Sequence, residues 1–180
     1  HLSDFGRIAS FDATAGVGFD FNPVADALRV ITADRNYRLN ATTGAVVGEG
    51  PAMSGTPGPL AYAAGDPNEG VVPQASGAAY TESSRGLPLP TATALFDIDS
   101  GTDSLVRQNP ANAGDLTTIG PLGVDATGVD GFDVSGGPGQ TAYAVMTVAG
   151  APGLYRVDLA SGAAELVGSL PAGLQGLAIK

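Results

Sequence analysis

The 180-residue sequence contains no cysteine, one lysine and one histidine. Without cysteine the chain has no disulfide, no thiol nucleophile and no thiolate metal ligand. The only histidine, His1, stands at the first position, which excludes a Ser–His–Asp triad. No G-x-S-x-G elbow and no glycine-rich phosphate loop ahead of a helix is present. The catalytic chemistry left to the chain is therefore based on carboxylates.

Positive charge and long apolar runs are also scarce. Eight Lys and Arg stand against 18 Asp and Glu, which gives a formal net charge of −10. Binding to nucleic-acid phosphates or to an anionic membrane surface needs clustered basic residues, so neither partner is expected. No apolar stretch approaches the roughly 20 residues of a membrane span, so no membrane insertion is expected.

Helical periodicity is missing as well, because the 27 glycines and 13 prolines interrupt nearly every window in which it begins. Short alternating apolar runs remain, and they predict an all-β fold. The predicted units of four antiparallel strands cover about residues 16–49, 70–120 and 128–168, with a long loop over 51–70 and a closing strand over 174–179. Four-stranded repeats of this size are typical of a β-propeller, so we predict one propeller-like domain over residues 1–180.

Two short motifs recur within these units. The first strands share a glycine followed by alternating residues, at Gly18–Phe21, Gly77–Tyr80, Gly131–Val134 and Gly176–Ile179. Other strands run into Asn or Asp, then small residues, then Gly, as in L-N-A-T-T-G and V-D-L-A-S-G. Asn and Asp bind the backbone two residues on, and Gly supplies a positive φ, so the second motif predicts turns.

Three segments carry a resemblance to a known family: Gly18–Val30, Leu95–Asp125 and Leu154–Gly168. They resemble the family called domain of unknown function 4394, over nearly the whole chain from Gly16 onward. The resemblance implies a secreted or cell-surface bacterial β-propeller with no established activity. Members of that family carry one or two further blades upstream of the first segment, whereas 15 residues precede Gly16 here.

The predicted closing strand, Leu174–Ile179, presents unpaired backbone groups unless another strand pairs with it. Three units and one strand are also fewer than the four blades that the smallest closed propellers need. Three alternatives follow: Phe5–Phe11 joins this strand, a second copy does so in a homo-oligomer, or a missing part of the parent protein completes the ring.

Four residues are candidates for ligand binding. Asp20 and Asp133 occupy equivalent first-strand positions, where they either face a central channel as an acid/base or cation site or accept neighbouring N–H groups. Arg29 belongs either to an anion-binding patch or to ordinary ion pairs. Tyr62, in the long loop, is the candidate for stacking on a sugar.

Asp97, Asp99 and Asp103 have the D-x-D-x-G character of a calcium loop. The Glu at loop position 12 is missing, and the segment falls where the other units have plain turns. The two interpretations are a turn and a bound calcium ion.

From these patterns we predict a secreted or cell-surface binding or structural module rather than an enzyme, with no cofactor and with a carbohydrate or protein ligand. One alternative is a calcium-dependent hydrolase with carboxylates in the central channel. The other is a self-assembling surface or matrix protein whose terminal strands pair between chains.

Overall fold

The computed structural model describes residues 16–25, 27–47, 58–83, 88–137 and 139–179, and these form strands and turns without a helix. The all-β prediction is confirmed. None of these residues belongs to a helix that is long and apolar enough to cross a membrane. The strands are β1 Gly18–Asn22, β2 Ala27–Thr32, β3 Arg35–Asn40, β4 Gly58–Pro59, β5 Ala61–Tyr62, β6 Ala75–Tyr80, β7 Leu95–Asp99, β8 Ser104–Gln108, β9 Asp115–Pro121, β10 Ala126–Val134, β11 Ala142–Val148, β12 Ala151–Val157 and β13 Ala164–Ser169.

The strands form three separate sheets. Sheet A has the order β1-β2-β3-β4, sheet B the order β5-β9-β8-β7-β6, and sheet C the order β10-β11-β12-β13. All pairs are antiparallel except β5 with β9, which are parallel. Within the described residues the sheets do not close into a ring.

Sheet A differs from the sequence prediction at its fourth strand. The predicted unit over residues 16–49 requires its fourth strand near the end of that range, but there Val46 forms only an isolated bridge to Leu39. The short strand β4 from the predicted long loop takes the outer position instead, pairing with Arg35 and Asn36. The chain then crosses directly to sheet B, where β5 pairs with β9. The predicted loop therefore contributes strands to two sheets.

The turn motif behaves as expected from its chemistry. The Asn40 side-chain oxygen accepts the amides of Thr42 and Thr43, at 2.9 and 2.8 Å. The Asp158 carboxylate accepts the amides of Ala160 and Ser161 in the same way, at 2.8 and 2.9 Å. Both turns end at a glycine with positive φ. These two turn predictions are confirmed.

Sheet B is the middle layer of the structure. Its strands β6 and β7 are buried at every position, because one face packs on sheet A and the other on sheet C. Ile31 of sheet A packs with Tyr80 and Val106 of sheet B. On the other side, Phe132 and Met146 of sheet C pack with residues of sheet B such as Ile98. Small residues in β6 allow both neighbours to approach closely.

The repeated glycines mark where successive sheets approach each other. A Cβ added to Gly18 would lie 2.6 Å from the backbone nitrogen of Ala78 in β6. A Cβ added to Gly131 would lie 2.6 Å from the backbone nitrogen of Leu177 in the same way. Only glycine permits these approaches. Strands β1, β6 and β10 and residues 174–179, called here the inner segments, therefore lie side by side in chain order.

The two ends of this arrangement differ from its middle. Residues 174–179 lie along β10 but belong to no strand ladder in the described part of the chain. At the other end, Phe19 and Phe21 of β1 are 59% and 54% exposed, whereas their repeat equivalents Phe132 and Val134 are 5% and 1% exposed. Among the described residues, no sheet covers the outer face of β1 in the way that sheet B covers β10. The predicted partner strand Phe5–Phe11 lies outside the described residues.

Candidate functional site

Asp20 and Asp133 make the same contact at two places in the structure. One carboxylate oxygen of Asp20 accepts the amide of Tyr80 at 2.6 Å and the other accepts that of Phe21 at 2.7 Å. Asp133 accepts the amides of Ile179 and Val134 at 2.7 and 2.8 Å. Each aspartate therefore joins its own inner segment to the next one.

Burial dominates the electrostatics of Asp20. It raises the pKa of the carboxyl from 3.8 to about 6, against the two amide hydrogen bonds, and the nearby charge of Asp133 raises the pKa further. Both carboxylates accept backbone amides of their own and the neighbouring segment, which is the structural one of the two roles predicted for these positions. In the ranges described above, no group of three or more His, Cys, Asp or Glu side chains is placed to hold a metal ion.

Arg29 lies between sheets A and B and is 2% exposed. Its guanidinium donates to Asn36 Oδ1 at 2.8 Å, to Asn112 Oδ1 at 2.7 Å and to Tyr80 Oη at 3.3 Å. These contacts connect β2, β3, β6 and the loop before β9. Arg29 therefore joins the two sheets from within and does not face a solvent-accessible anion site.

Asp97 is fully buried on β7, on the face that packs against sheet A. Neither of its carboxylate oxygens has a hydrogen-bond partner among the described residues. Burial raises the pKa of Asp97 well above its usual value, and the positive charge of Arg29 opposes this only in part. Burial therefore disfavours the charged form of this side chain.

Asp99 and Asp103 are directed at other groups. Asp99 accepts the Tyr62 hydroxyl at 2.6 Å and the amides of Gly101 and Gln74 at 2.8 and 3.1 Å. Asp103 accepts the amide of Ala126 at 2.8 Å. The structure thus does not bring the three predicted calcium ligands together on one ion. Tyr62 is 7% exposed, so its ring is no platform for a sugar.

A cavity of about 600 Å³ lies where the inner segments begin, and sequence reasoning did not find it. Four of its lining residues are Val17, Ser76, Asp130 and Gln175, each of which directly precedes a repeated glycine of an inner segment. The signal that would have located the cavity is the alignment of the four glycines, read one position upstream. We call these four residues the pre-glycine set.

The cavity presents polar groups that nothing else in the described structure binds. Ser76 is 3% exposed, and its hydroxyl makes no hydrogen bond within the described residues. The side chains of Gln74, Asp130 and Gln175 also make none there. These groups are open to the cavity, so a ligand there can form hydrogen bonds with them in place of water. This arrangement is suited to binding a small polar molecule.

Residues 2–178 match the family described as Domain of unknown function (DUF4394). The chain belongs to this family. No curated protein and no solved structure matches it.

In this DUF4394 chain the matched range contains β1, β6 and β10, all but the last residue of the segment 174–179, and the whole pre-glycine set. The family description names no activity, so the function has to be argued from the cavity and its lining. Among the groups described above, only the cavity combines open volume with polar side chains that lack a protein partner.

Proposed function

We propose that this chain is a binding module of propeller-like architecture that takes a small polar ligand into its central cavity. We place it outside the cell or at the cell surface, as the family resemblance implies. The observation that carries the proposal is the convergence of the pre-glycine set on one cavity.

The repeated sheet-to-sheet contacts support the propeller-like arrangement. Strand β6 of sheet B lies beside β1 of sheet A and β10 of sheet C, and the aspartate link occurs both from β1 to β6 and from β10 to residues 174–179. Radial repetition of four-stranded sheets around a central channel is the principle of a propeller.

The size and place of the cavity support ligand binding. Ligand pockets are typically about 300–1,000 Å³ and contain a few convergent polar groups, and this cavity has about 600 Å³. Its lining comes from the three sheets and from residues 174–179, so a bound molecule would contact every inner segment. Binding is therefore expected to stabilise the whole fold.

Thermal unfolding in the presence of a panel of monosaccharides, amino sugars, amino acids and nucleosides tests the proposal. A ligand at about 100 times its Kd stabilises the fold by about 2.7 kcal/mol, which raises Tm by roughly 5–10 °C for a chain of this size. Gln175→Trp narrows the cavity from an exposed position and should remove the shift. Thr117→Trp, on an exposed position of β9 away from the cavity, is the matched control and should keep it.

The proposal fails if no panel compound raises Tm. It fails equally if the increase persists in Gln175→Trp, because the compound would then bind elsewhere.

A further inference from the structure

We infer that the ligand is a small polyhydroxylated molecule with a primary ammonium group, which Asp130 binds in the central cavity. The inference rests on the proposed function and names the chemical class of its ligand.

Asp130 is the only charged residue that lines the cavity in the described part of the chain. Its equivalents in the pre-glycine set are Val17, Ser76 and Gln175, so the four inner segments present one apolar, two neutral polar and one anionic group. A ligand that matches this set has one cationic group and several neutral polar groups.

The Asp130 carboxylate is half-buried and makes no hydrogen bond or ion pair within the described residues. No arginine of the described chain lines the cavity to balance its charge. A partly desolvated carboxylate forms strong, short hydrogen bonds with a cationic donor. The charge at this point of the cavity therefore favours an ammonium group of the ligand.

The remaining lining favours hydroxyl groups. The Ser76 hydroxyl and the Gln74 and Gln175 amides each both donate and accept hydrogen bonds, as a sugar hydroxyl does. None of the described residues that line the cavity is aromatic, so these residues offer no stacking or cation–π contact for a quaternary ammonium group. A primary ammonium, which donates hydrogen bonds, fits this lining.

A metal ion fits the cavity less well. Calcium takes 6–8 oxygen ligands and gains affinity from several carboxylates, whereas Asp130 is the single carboxylate at this cavity among the described residues. An organic cation needs only one carboxylate, and its hydroxyl groups use the neutral partners.

Glucosamine and glucose form a matched pair of probes, because they differ by one ammonium group in place of a hydroxyl. Titration calorimetry at pH 6 should show that the full chain binds glucosamine about 10-fold or more tightly than glucose. Asp130→Asn should abolish the preference, so that glucosamine and glucose bind with similar affinity. Asp115→Asn changes the net charge equally at an exposed position of β9, and should keep the preference.

Equal binding of the two sugars, or a preference that survives Asp130→Asn, overturns the inference and leaves the proposed function standing. The same holds if another neutral panel compound binds the cavity and glucosamine does not. A rise in Tm with calcium alone that Asp130→Asn abolishes overturns it in favour of a metal site. If no compound of the panel binds, the proposed function fails together with the inference.

Discussion

Asp20 offers a direct test of how the inner segments are joined. Its carboxylate accepts the amides of Phe21 and Tyr80, and the second bond connects sheet A with sheet B. Asp20→Asn keeps the shape of the side chain and removes its titration. The comparison therefore separates the effect of charge at this position from the effect of packing.

The sign and size of the pH effect on the free energy of unfolding follow from the pKa of Asp20. Burial raises this pKa from 3.8 in the free side chain to about 6 in the fold. A raised pKa means that the fold favours the protonated acid. The stabilisation of the fold by protonated Asp20 is complete below pH 3.8 and is lost as the pH rises through 6. A shift of about 2 pH units corresponds to about 3 kcal/mol at 1.36 kcal/mol per unit. Partial exposure of the side chain lowers this to roughly 1–3 kcal/mol.

Urea unfolding followed by circular dichroism at pH 4, 5, 6 and 7 measures the effect. The free energy of unfolding should fall with pH more steeply in the wild type than in Asp20→Asn, by roughly 1–3 kcal/mol over this range. Any constant cost of the amide cancels in this comparison. Parallel pH curves for the two proteins would refute the argument.

Asp158→Asn is the matched control for this experiment. The Asp158 carboxylate is exposed and also accepts two backbone amides, which lower its pKa. A lowered pKa stabilises the fold at every pH above 3.8 and this stabilisation is lost only as the pH falls below that value. Between pH 4 and 7 the curve of Asp158→Asn should therefore run nearly parallel to that of the wild type, unlike the curve of Asp20→Asn.

Two further predictions concern buried and exposed positions of the same sheets. Asp97→Asn should raise the free energy of unfolding at pH 7 by about 1–3 kcal/mol, because folding then buries a neutral amide instead of a carboxyl whose charged form burial disfavours; an unchanged or lower value in urea unfolding would contradict this. Phe132→Ala should cost about 3–5 kcal/mol and Phe19→Ala less than about 1 kcal/mol, since only the first is buried. Equal costs, with a mass in light scattering that rises with concentration, would show instead that a second copy covers the outer face of β1.

The local features of this fold were predictable because they depend on neighbouring residues. The turns at Asn40 and Asp158 follow from side-chain bonds to amides two and three residues ahead. The inner segments follow from the alternation after each repeated glycine. The pairing of consecutive strands was predictable for a similar reason, because a short connection between two strands allows almost only an antiparallel pair.

Features that depend on distant residues were not predictable in the same way. The partners of Arg29 lie up to 83 residues away in the sequence. The sequence therefore did not indicate that the Arg29 side chain is buried between two sheets. β4 replaced the expected fourth strand because residues beyond a long connection compete for the same edge of β3. Asp97, Asp99 and Asp103 alternate along one short segment, but their partners come from different elements.

The same repeat that builds the fold explains why its cavity can be specialised. At each described glycine approach a side chain would meet the backbone of the next inner segment, so Gly18 and Gly131 are constrained. Two residues later, Asp20 and Asp133 supply the link to that segment. The residue before each glycine takes part neither in the close backbone approach nor in the aspartate link, and it lines the cavity. These residues, Val17, Ser76, Asp130 and Gln175, differ in size and charge. Under the proposed function we therefore expect these four positions, rather than the glycines and aspartates, to determine which ligand the cavity binds.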